Sequence, residues 1–202
     1  MGLAKAKTHW TVEEYLAFEK TSPVKHEYVS GQIYAMAGTS KNHNRIALNL
    51  ANSLNNKLQG SSCEAFAFDI KVYVNPEIYY YPDVIVACEE LVDNEEENYI
   101  AENPSVLVEV ISPSTQRTDR FEKMREYQFL PSLREYVLIE QTHYQVEVYR
   151  HAAAGEVWQK EIYTDPAQEV FLASVNVSFT LAEIYARVRF GAASEDAERE
   201  NE

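Results

Sequence analysis

Two short apolar runs, each interrupted by one acid, decide the fold: Tyr81-Pro-Asp-Val-Ile-Val86 and Val106-Leu-Val-Glu-Val-Ile111. Such nearly continuous apolar runs are typical of strands that are covered on both faces of a sheet. The exceptions are Asp83 and Glu109. A buried carboxylate is costly unless it is compensated, and two neighbouring carboxylates raise each other's pKa. We therefore expect a divalent metal ion between Asp83 and Glu109.

Mg²⁺ suits this pair of acids because it prefers oxygen ligands and keeps several of its waters, so that two carboxylates and a backbone carbonyl suffice to hold it. Mn²⁺ is an alternative with similar ligand preferences. Two structural interpretations stay open. Asp83 follows a proline and is compatible with a turn or strand edge, and Glu109 is compatible with a buried ion pair.

Helix and strand patterns alternate on both sides of these runs. A capping box at residues 11–14 opens a helix that ends near residue 19, and Ser30-Gly31 predicts a hairpin turn. Apolar residues four apart, from Ile46 to Leu58, predict an amphipathic helix. Further strands are expected at 63–74, 134–140, 144–150, 156–163 and 169–173, and further helices at 115–130 and 181–188.

The acidic charge is unevenly distributed. Of the formal net charge of −14, −11 resides in residues 89–102, with seven acids and no base, and residues 195–202, with five acids and one base. The charge therefore does not exclude a nucleic acid partner, although phosphate binding needs Lys and Arg. We expect one domain over residues 1–190, followed by a disordered acidic tail at 191–202.

Several classes of protein are disfavoured by the sequence. No apolar stretch approaches the roughly 20 residues that cross a bilayer, and the first residues lack the apolar region of a signal peptide. We therefore expect a soluble cytoplasmic protein without a membrane partner. Cys63 and Cys88 have neither CxxC spacing nor nearby histidines, which disfavours a zinc site, and we interpret them as buried free thiols.

The chain resembles the Uma-type restriction endonuclease family, a domain of unknown function within the PD-(D/E)XK nuclease superfamily. The resemblance covers roughly residues 10–188. The motifs that carry it are His26-Glu-Tyr-Val-Ser-Gly-Gln-Ile-Tyr34, Tyr81-Pro-Asp-Val-Ile-Val86, Val108-Glu-Val-Ile-Ser-Pro-Ser-Thr115, residues 119–127 with Lys123 inside them, and Leu130-Pro-Ser-Leu-Arg-Glu-Tyr-Val137.

This resemblance implies an α/β restriction-endonuclease-like fold, with a central mixed β-sheet flanked by helices and additional antiparallel strands. It implies that Asp83 and Glu109 are metal ligands, that the Val110 carbonyl is a further ligand, and that Glu27 is an additional acid of the site. The implied activity is Mg²⁺-dependent hydrolysis of phosphodiester bonds in DNA. Together with the strand-rich segment after Tyr144, the resemblance also suggests a homodimer, since cutting both strands of a duplex needs two sites.

One position departs from the superfamily pattern. The residue two after Glu109, where a lysine is expected, is Ile111. Our candidate for the missing ammonium is Lys123 on the following helix, and Lys71 is the alternative source. Lys123 is also compatible with an ordinary solvated helix surface.

Other interpretations remain open for the neighbouring residues. Glu27 is compatible with a surface pair to Lys25 or Arg45, and we interpret His43 as part of a local helix start. A second hypothesis for the whole chain is a catalytically inactive nuclease-fold module that serves DNA-associated or protein interactions.

Overall fold

The computed structural model describes residues 8–88, 99–101, 103–113, 115–151 and 157–191. Most of the acidic segment at 89–102, and the expected tail beyond residue 191, lie outside these residues. The helices are α1 (Val12–Glu19), α2 (Lys41–Leu58), a π-helix (Thr118–Lys123), α3 (Met124–Tyr127) and α4 (Leu181–Ile184). None of the helices in the described part of the chain is long and apolar enough to cross a membrane.

The strands form two main sheets and a separate hairpin. They are β1 (His26–Val29), β2 (Gln32–Ala35), β3 (Glu64–Ala67), β4 (Lys71–Asn75), β5 (Ile78–Tyr80), β6 (Val84–Ala87), β7 (Ile100–Ala101), β8 (Pro104–Ile111), β9 (Glu135–Glu140), β10 (Val146–Arg150), β11 (Gln159–Tyr163), β12 (Glu169–Leu172) and β13 (Val177–Thr180).

The central sheet is mixed, as the family resemblance implies. Its order is β11-β10-β9-β8-β6-β3, and β8 pairs in parallel with β9 but antiparallel with β6. A second sheet has the order β2-β1-β5-β4-β7, and β12 pairs with β13. Gly31 supplies the positive φ of 84° at the β1–β2 turn, as the Ser30-Gly31 signal predicts.

The two faces of β8 contact different parts of the core. Val106, Val108 and Val110 pack in the same core cluster as the apolar stripe of α2. Residues on a strand alternate between faces, so Leu107 and Ile111 pack on the opposite side with Tyr127. Glu109 belongs to this second face, and strand alternation therefore directs its carboxylate towards the helical segment after β8.

The run at 63–74 was predicted as one strand, and this prediction is wrong. It forms β3 and β4, which lie in different sheets. Phe68 and Asp69 between them adopt left-handed φ values of 62° and 60°. These two residues turn the chain from one sheet to the other without a glycine or proline.

The interpretation of Cys63 and Cys88 as free thiols is also wrong. In the antiparallel pair of β3 and β6, Glu64 is opposite Ala87, so the next residues outward, Cys63 and Cys88, face each other and form a disulfide. Both cysteines are half-buried.

The C-terminal elements differ from the expected ones. The helix predicted at 181–188 forms only as α4, which ends at Ile184. A turn follows α4 and ends at Arg187, whose left-handed φ of 63° does not continue a helix. The sequence analysis missed β13, which pairs with β12 immediately before α4. The acidic segment at residues 89–102 also contains the short strand β7, which pairs with β4.

A buried carboxylate on β10, Glu147, contacts side chains of the π-helix and of β11 near one edge of the central sheet. It accepts hydrogen bonds from Tyr149 at 2.6 Å, Arg120 at 2.5 Å and Lys160 at 3.1 Å. Burial would raise the pKa of Glu147, but these three donors outweigh burial and lower its pKa to about 2. Glu147 is therefore ionised throughout the neutral range.

Candidate active site

The proposed site residues line one cavity of about 520 Å³. Glu27 enters it from β1, Asp83 from the residue immediately before β6, and Glu109 from the second face of β8. Lys123 enters from the last position of the π-helix. Residues that are up to 96 positions apart in the sequence therefore meet where strands of the two sheets approach the helical segment.

Lys123 is the centre of the charged cluster. Its Nζ atom lies 2.9 Å from Glu27 Oε1 and 2.9 Å from Glu109 Oε1. Asp119, one turn earlier on the π-helix, lies 3.3 Å from the same Nζ atom. The side chain of Lys123 is only 7% exposed. Lys123 therefore does not lie on a solvated helix surface.

The charges in this cluster shift one another's pKa. Burial raises the pKa of Glu109 well above its ordinary value; Lys123 opposes this shift, and Asp119 reinforces it. Burial would lower the pKa of Lys123, but the carboxylates of Glu109 and Glu27 outweigh burial and raise it well above its ordinary value. Lys123 therefore holds its proton at neutral pH and is an electrostatic group rather than a base.

The π-helix explains how Lys123 reaches the cluster. The segment from Thr118 to Lys123 is wound as a π-helix. This form is rare in proteins overall, but where it occurs it often lies at a functional site. Asp119 and Lys123 are both buried on this segment. The hydroxyl of Tyr127, one turn later, is 3.4 Å from Glu109 Oε1, so both helical turns face the acid on β8.

Asp83 is held in place by two donors on different elements. Its Oδ2 atom accepts a hydrogen bond of 2.7 Å from the backbone N–H of Val110. Its Oδ1 atom is 2.7 Å from Nε2 of His43. In an extended strand the N–H and C=O of one residue point to the same side, so the Val110 carbonyl is also directed towards Asp83.

Glu27 is part of the cluster and not of a surface pair. Its Oε1 atom contacts Lys123 and also accepts a hydrogen bond of 3.3 Å from the backbone N–H of Tyr81. The alternative partners, Lys25 and Arg45, do not form these contacts. Glu27 therefore connects β1 to the segment that carries Asp83.

The two candidate lysines occupy different environments. Ile111 is fully buried in the core beside Tyr127, which leaves no place for an ammonium at that position. Lys71 lies with its Nζ atom 5.7 Å from the centre of the Tyr81 ring and does not line the cavity. The geometry favours Lys123 over Lys71 as the ammonium that substitutes for a lysine at 111.

The donor set fits a divalent cation. Four carboxylates, those of Glu27, Asp83, Glu109 and Asp119, line a cavity to which Lys123 contributes one positive charge. Among the described residues, no donor contacts the Oε2 atoms of Glu27 and Glu109. No three His, Cys, Asp or Glu side chains of this part of the chain converge on one point, so an ion here would also need the Val110 carbonyl and water, as Mg²⁺ commonly does.

The sequence analysis missed two polar neighbours of the site. His43 lies in the first turn of α2, where its N–H bonds to the Ser40 hydroxyl as expected for a helix start, but its ring also faces Asp83. Asp119 contacts Lys123 and was not among the predicted site residues. The spacing of four between Asp119 and Lys123 could have indicated a shared face, whereas no local signal relates His43 to Asp83.

Comparison with known proteins agrees with this architecture. The chain matches the Uma2 family, described as "Putative restriction endonuclease", over residues 12–182. The chain belongs to this family. Two relatives from Synechocystis sp. strain PCC 6803 are the proteins slr1290, 38% identical over 88% of this chain and 92% of its own length, and sll1609, 37% identical over 80% of this chain and 92% of its own length.

A solved structure shows the same fold as this Uma2 chain. It is the crystal structure of a "putative nuclease belonging to DUF820" from Anabaena variabilis ATCC 29413, with a TM-score of 0.72 and 17% sequence identity. The similarity covers 87% of this chain and 97% of the Anabaena protein. The resemblance inferred from the motifs and the expected fold are thus confirmed, and the family supports a nuclease-like function.

Proposed function

We propose that this Uma2 chain is a Mg²⁺-dependent endonuclease that hydrolyses phosphodiester bonds in DNA. The observation that carries the proposal is the meeting of Glu27, Asp83 and Glu109 with the ammonium of Lys123 at one cavity. An acidic cavity with one fixed ammonium offers both ligands for a metal ion and a positive charge for a phosphate.

Asp83, Glu109 and the Val110 carbonyl would hold the ion, which is Mg²⁺ or Mn²⁺. When bound, such an ion polarises the phosphoryl group and lowers the pKa of an attacking water. The hydrogen bonds from Val110 and His43 hold Asp83 in one orientation, so this ligand needs little rearrangement to bind the ion. Glu27 is placed to orient water or to help bind a second ion.

Lys123 stabilises the negative charge that develops on the phosphate in the transition state. Its raised pKa keeps it protonated, and its contacts with Glu27 and Glu109 fix the position of its ammonium. A fixed donor in a cavity shielded from water stabilises developing charge more than a mobile donor in solvent does. This is the role that a lysine at position 111 would have had.

The test is cleavage of end-labelled DNA oligonucleotides in Mg²⁺ and in EDTA. We expect cleavage in Mg²⁺ alone, and we expect Asp83→Asn to abolish it. Asp165→Asn is the matched control, because Asp165 is an exposed aspartate outside the cavity. Cleavage that persists in EDTA, or in Asp83→Asn, would contradict the proposed mechanism.

The second candidate is a catalytically inactive module with the nuclease fold. One observation favours it: Glu27 and Glu109 already contact Lys123, so part of the acidic charge is compensated without a metal ion. Calorimetry with Mg²⁺ and Mn²⁺ at millimolar concentration separates the two candidates. Failure of both ions to bind supports the module.

Two further proposals concern assembly. We propose that residues 1–190 form one domain, because β8 contacts both core clusters and connects elements from α2 to β10. We also propose a homodimer, in which two cavities would cut the two strands of a duplex.

A further inference from the structure

A second cavity, of about 380 Å³, adjoins the proposed active site. Both cavities are lined by Tyr81, Asp83 and the segment 36–39. Asp83 therefore lies at their junction, and the two cavities form one groove that passes over the proposed metal ligand. A ligand longer than one phosphate group could occupy both parts of this groove.

Each part of the groove presents an aromatic side chain. Tyr34 lines the first cavity from the edge strand β2, is 55% exposed, and its hydroxyl has no hydrogen-bond partner among the described residues. Phe68 lines the second cavity and is half-buried. Phe68 and Asp69 hold left-handed backbone conformations, which are strained for residues other than glycine and are often retained at functional sites.

The second cavity presents a cationic side chain in a chain whose net charge is −14. Lys25 lines this cavity and forms no ion pair within the part of the chain that the structure describes. The ammonium of Lys25 can therefore attract a phosphate of a strand that lies in the groove.

We propose that the groove binds single-stranded DNA, with one base stacked on Tyr34, another on Phe68, and the intervening phosphates passing Asp83 and Lys25. Bases in a duplex stack on each other and offer no free face to a side chain, whereas single-strand binders combine basic grooves with aromatic rings. The inference rests on the proposed function only in taking the phosphate beside Asp83 as the one that is cleaved.

The experiment compares binding of two fluorescent strands of about 12 nucleotides, within the site sizes of known single-strand binders. One strand is oligothymidylate and the other is an abasic strand with the same number of phosphates. Fluorescence anisotropy is measured in Ca²⁺ at one fixed low salt concentration, because affinity for phosphates depends strongly on salt, and gels verify that the strands stay intact. The variants are Tyr34→Leu, Phe68→Leu and, as control, Phe171→Leu, an exposed phenylalanine outside both cavities.

We expect the wild type to bind oligothymidylate more tightly than the abasic strand. In Tyr34→Leu and in Phe68→Leu this preference should fall by about fivefold or more, the scale of one base–aromatic stack. The control should keep the full preference. Equal affinity of the wild type for both strands would overturn the proposal. Tighter binding of the corresponding duplex would also overturn the proposal. So would an equal loss of affinity for both strands in Tyr34→Leu and Phe68→Leu, since such a loss indicates a structural role.

These outcomes are separate from those of the proposed function. A preference for bases can hold in a chain that cleaves nothing, and cleavage that depends on Asp83 can occur without any preference for bases.

Discussion

Replacing Lys123 with alanine tests the central assignment of the site. The substitution removes an ammonium that lies 2.9 Å from two carboxylates and 3.3 Å from a third. Loss of one donor to developing negative charge typically costs about a hundredfold or more in rate, which corresponds to about 2.7 kcal/mol in the activation free energy. We expect a loss of this size in the initial rate of oligonucleotide cleavage at saturating Mg²⁺.

The same substitution should change stability in a way that depends on metal. Breaking a buried ion pair by removing one partner costs about 3–5 kcal/mol, and for a domain of this length the melting temperature in EDTA should fall by on the order of 10 °C. Mg²⁺ should restore more of the melting temperature in Lys123→Ala than in the wild type, and the affinity for Mg²⁺ in calorimetry should not fall, because Lys123 contacts the same Glu109 carboxylate that would bind the ion.

Two variants keep this prediction decisive. Lys123→Met preserves the apolar stem and removes only the charge, so it should lose the same rate with less change in packing. Lys71→Ala is the matched control, since Lys71 is a buried lysine outside the cavity. If Lys71→Ala abolishes cleavage and Lys123→Ala does not, the ammonium comes from β4 and our assignment is wrong. If neither lysine substitution changes the cleavage rate while Asp83→Asn abolishes cleavage, the site is a metal centre without a lysine.

Four further predictions address the metal ligands, the disulfide, a buried acid and the assembly. Asp83→Asn and Glu109→Gln should each abolish Mg²⁺ binding in calorimetry, and binding that persists in either variant would refute its assignment as a ligand. In EDTA, Asp83→Asn should not lower the melting temperature, because it relieves repulsion in an acidic cavity, whereas Glu109→Gln should lower it, because it breaks the buried ion pair with Lys123. Replacing both Cys63 and Cys88 with alanine should lower the free energy of unfolding by about 3 kcal/mol, as expected for closure of a loop with a separation of 25 residues, and an unchanged denaturant midpoint would refute this. The stabilisation from Glu147, whose pKa falls from 4.5 to about 2 on folding, is present above pH 4.5 and lost as the pH falls towards 2; the difference in melting temperature between wild type and Glu147→Gln should shrink over that window, and a constant difference would contradict it. Light scattering at micromolar concentration should give twice the chain mass of 23.2 kDa, and a monomeric mass would count against the homodimer.

The buried strands and the acids on them could be predicted from the sequence because their signals are local. An apolar run with one acid is anomalous by itself, and Asp83 and Glu109 are therefore recognisable as candidate site residues without knowledge of their contacts. The apolar stripe of α2 and the β1–β2 turn were predicted for the same reason, since a period of 3.6 residues and a glycine with positive φ are visible within a few residues.

The features that the sequence did not predict depend on contacts between distant residues. The disulfide needs the register of β3 against β6, which places Cys63 opposite Cys88 only after the sheet has formed. The contact of His43 with Asp83 joins residues 40 positions apart. The turn at Phe68 and Asp69 contains no glycine or proline that would indicate it in the sequence. Tertiary packing imposes these left-handed conformations against the preference of the residues.

The homodimer and the single-strand groove make different demands on the molecule. A duplex cut needs two cavities related by a twofold axis and a basic surface wide enough to follow two backbones, whereas a single strand needs one cavity and carries a lower charge density. The chain has a net charge of −14, and Lys25 lines only one end of the groove. This charge distribution fits one strand better than two. A monomeric mass combined with a preference for oligothymidylate would therefore support a nuclease that acts on unpaired DNA, and a dimeric mass combined with tighter duplex binding would support cleavage of both strands.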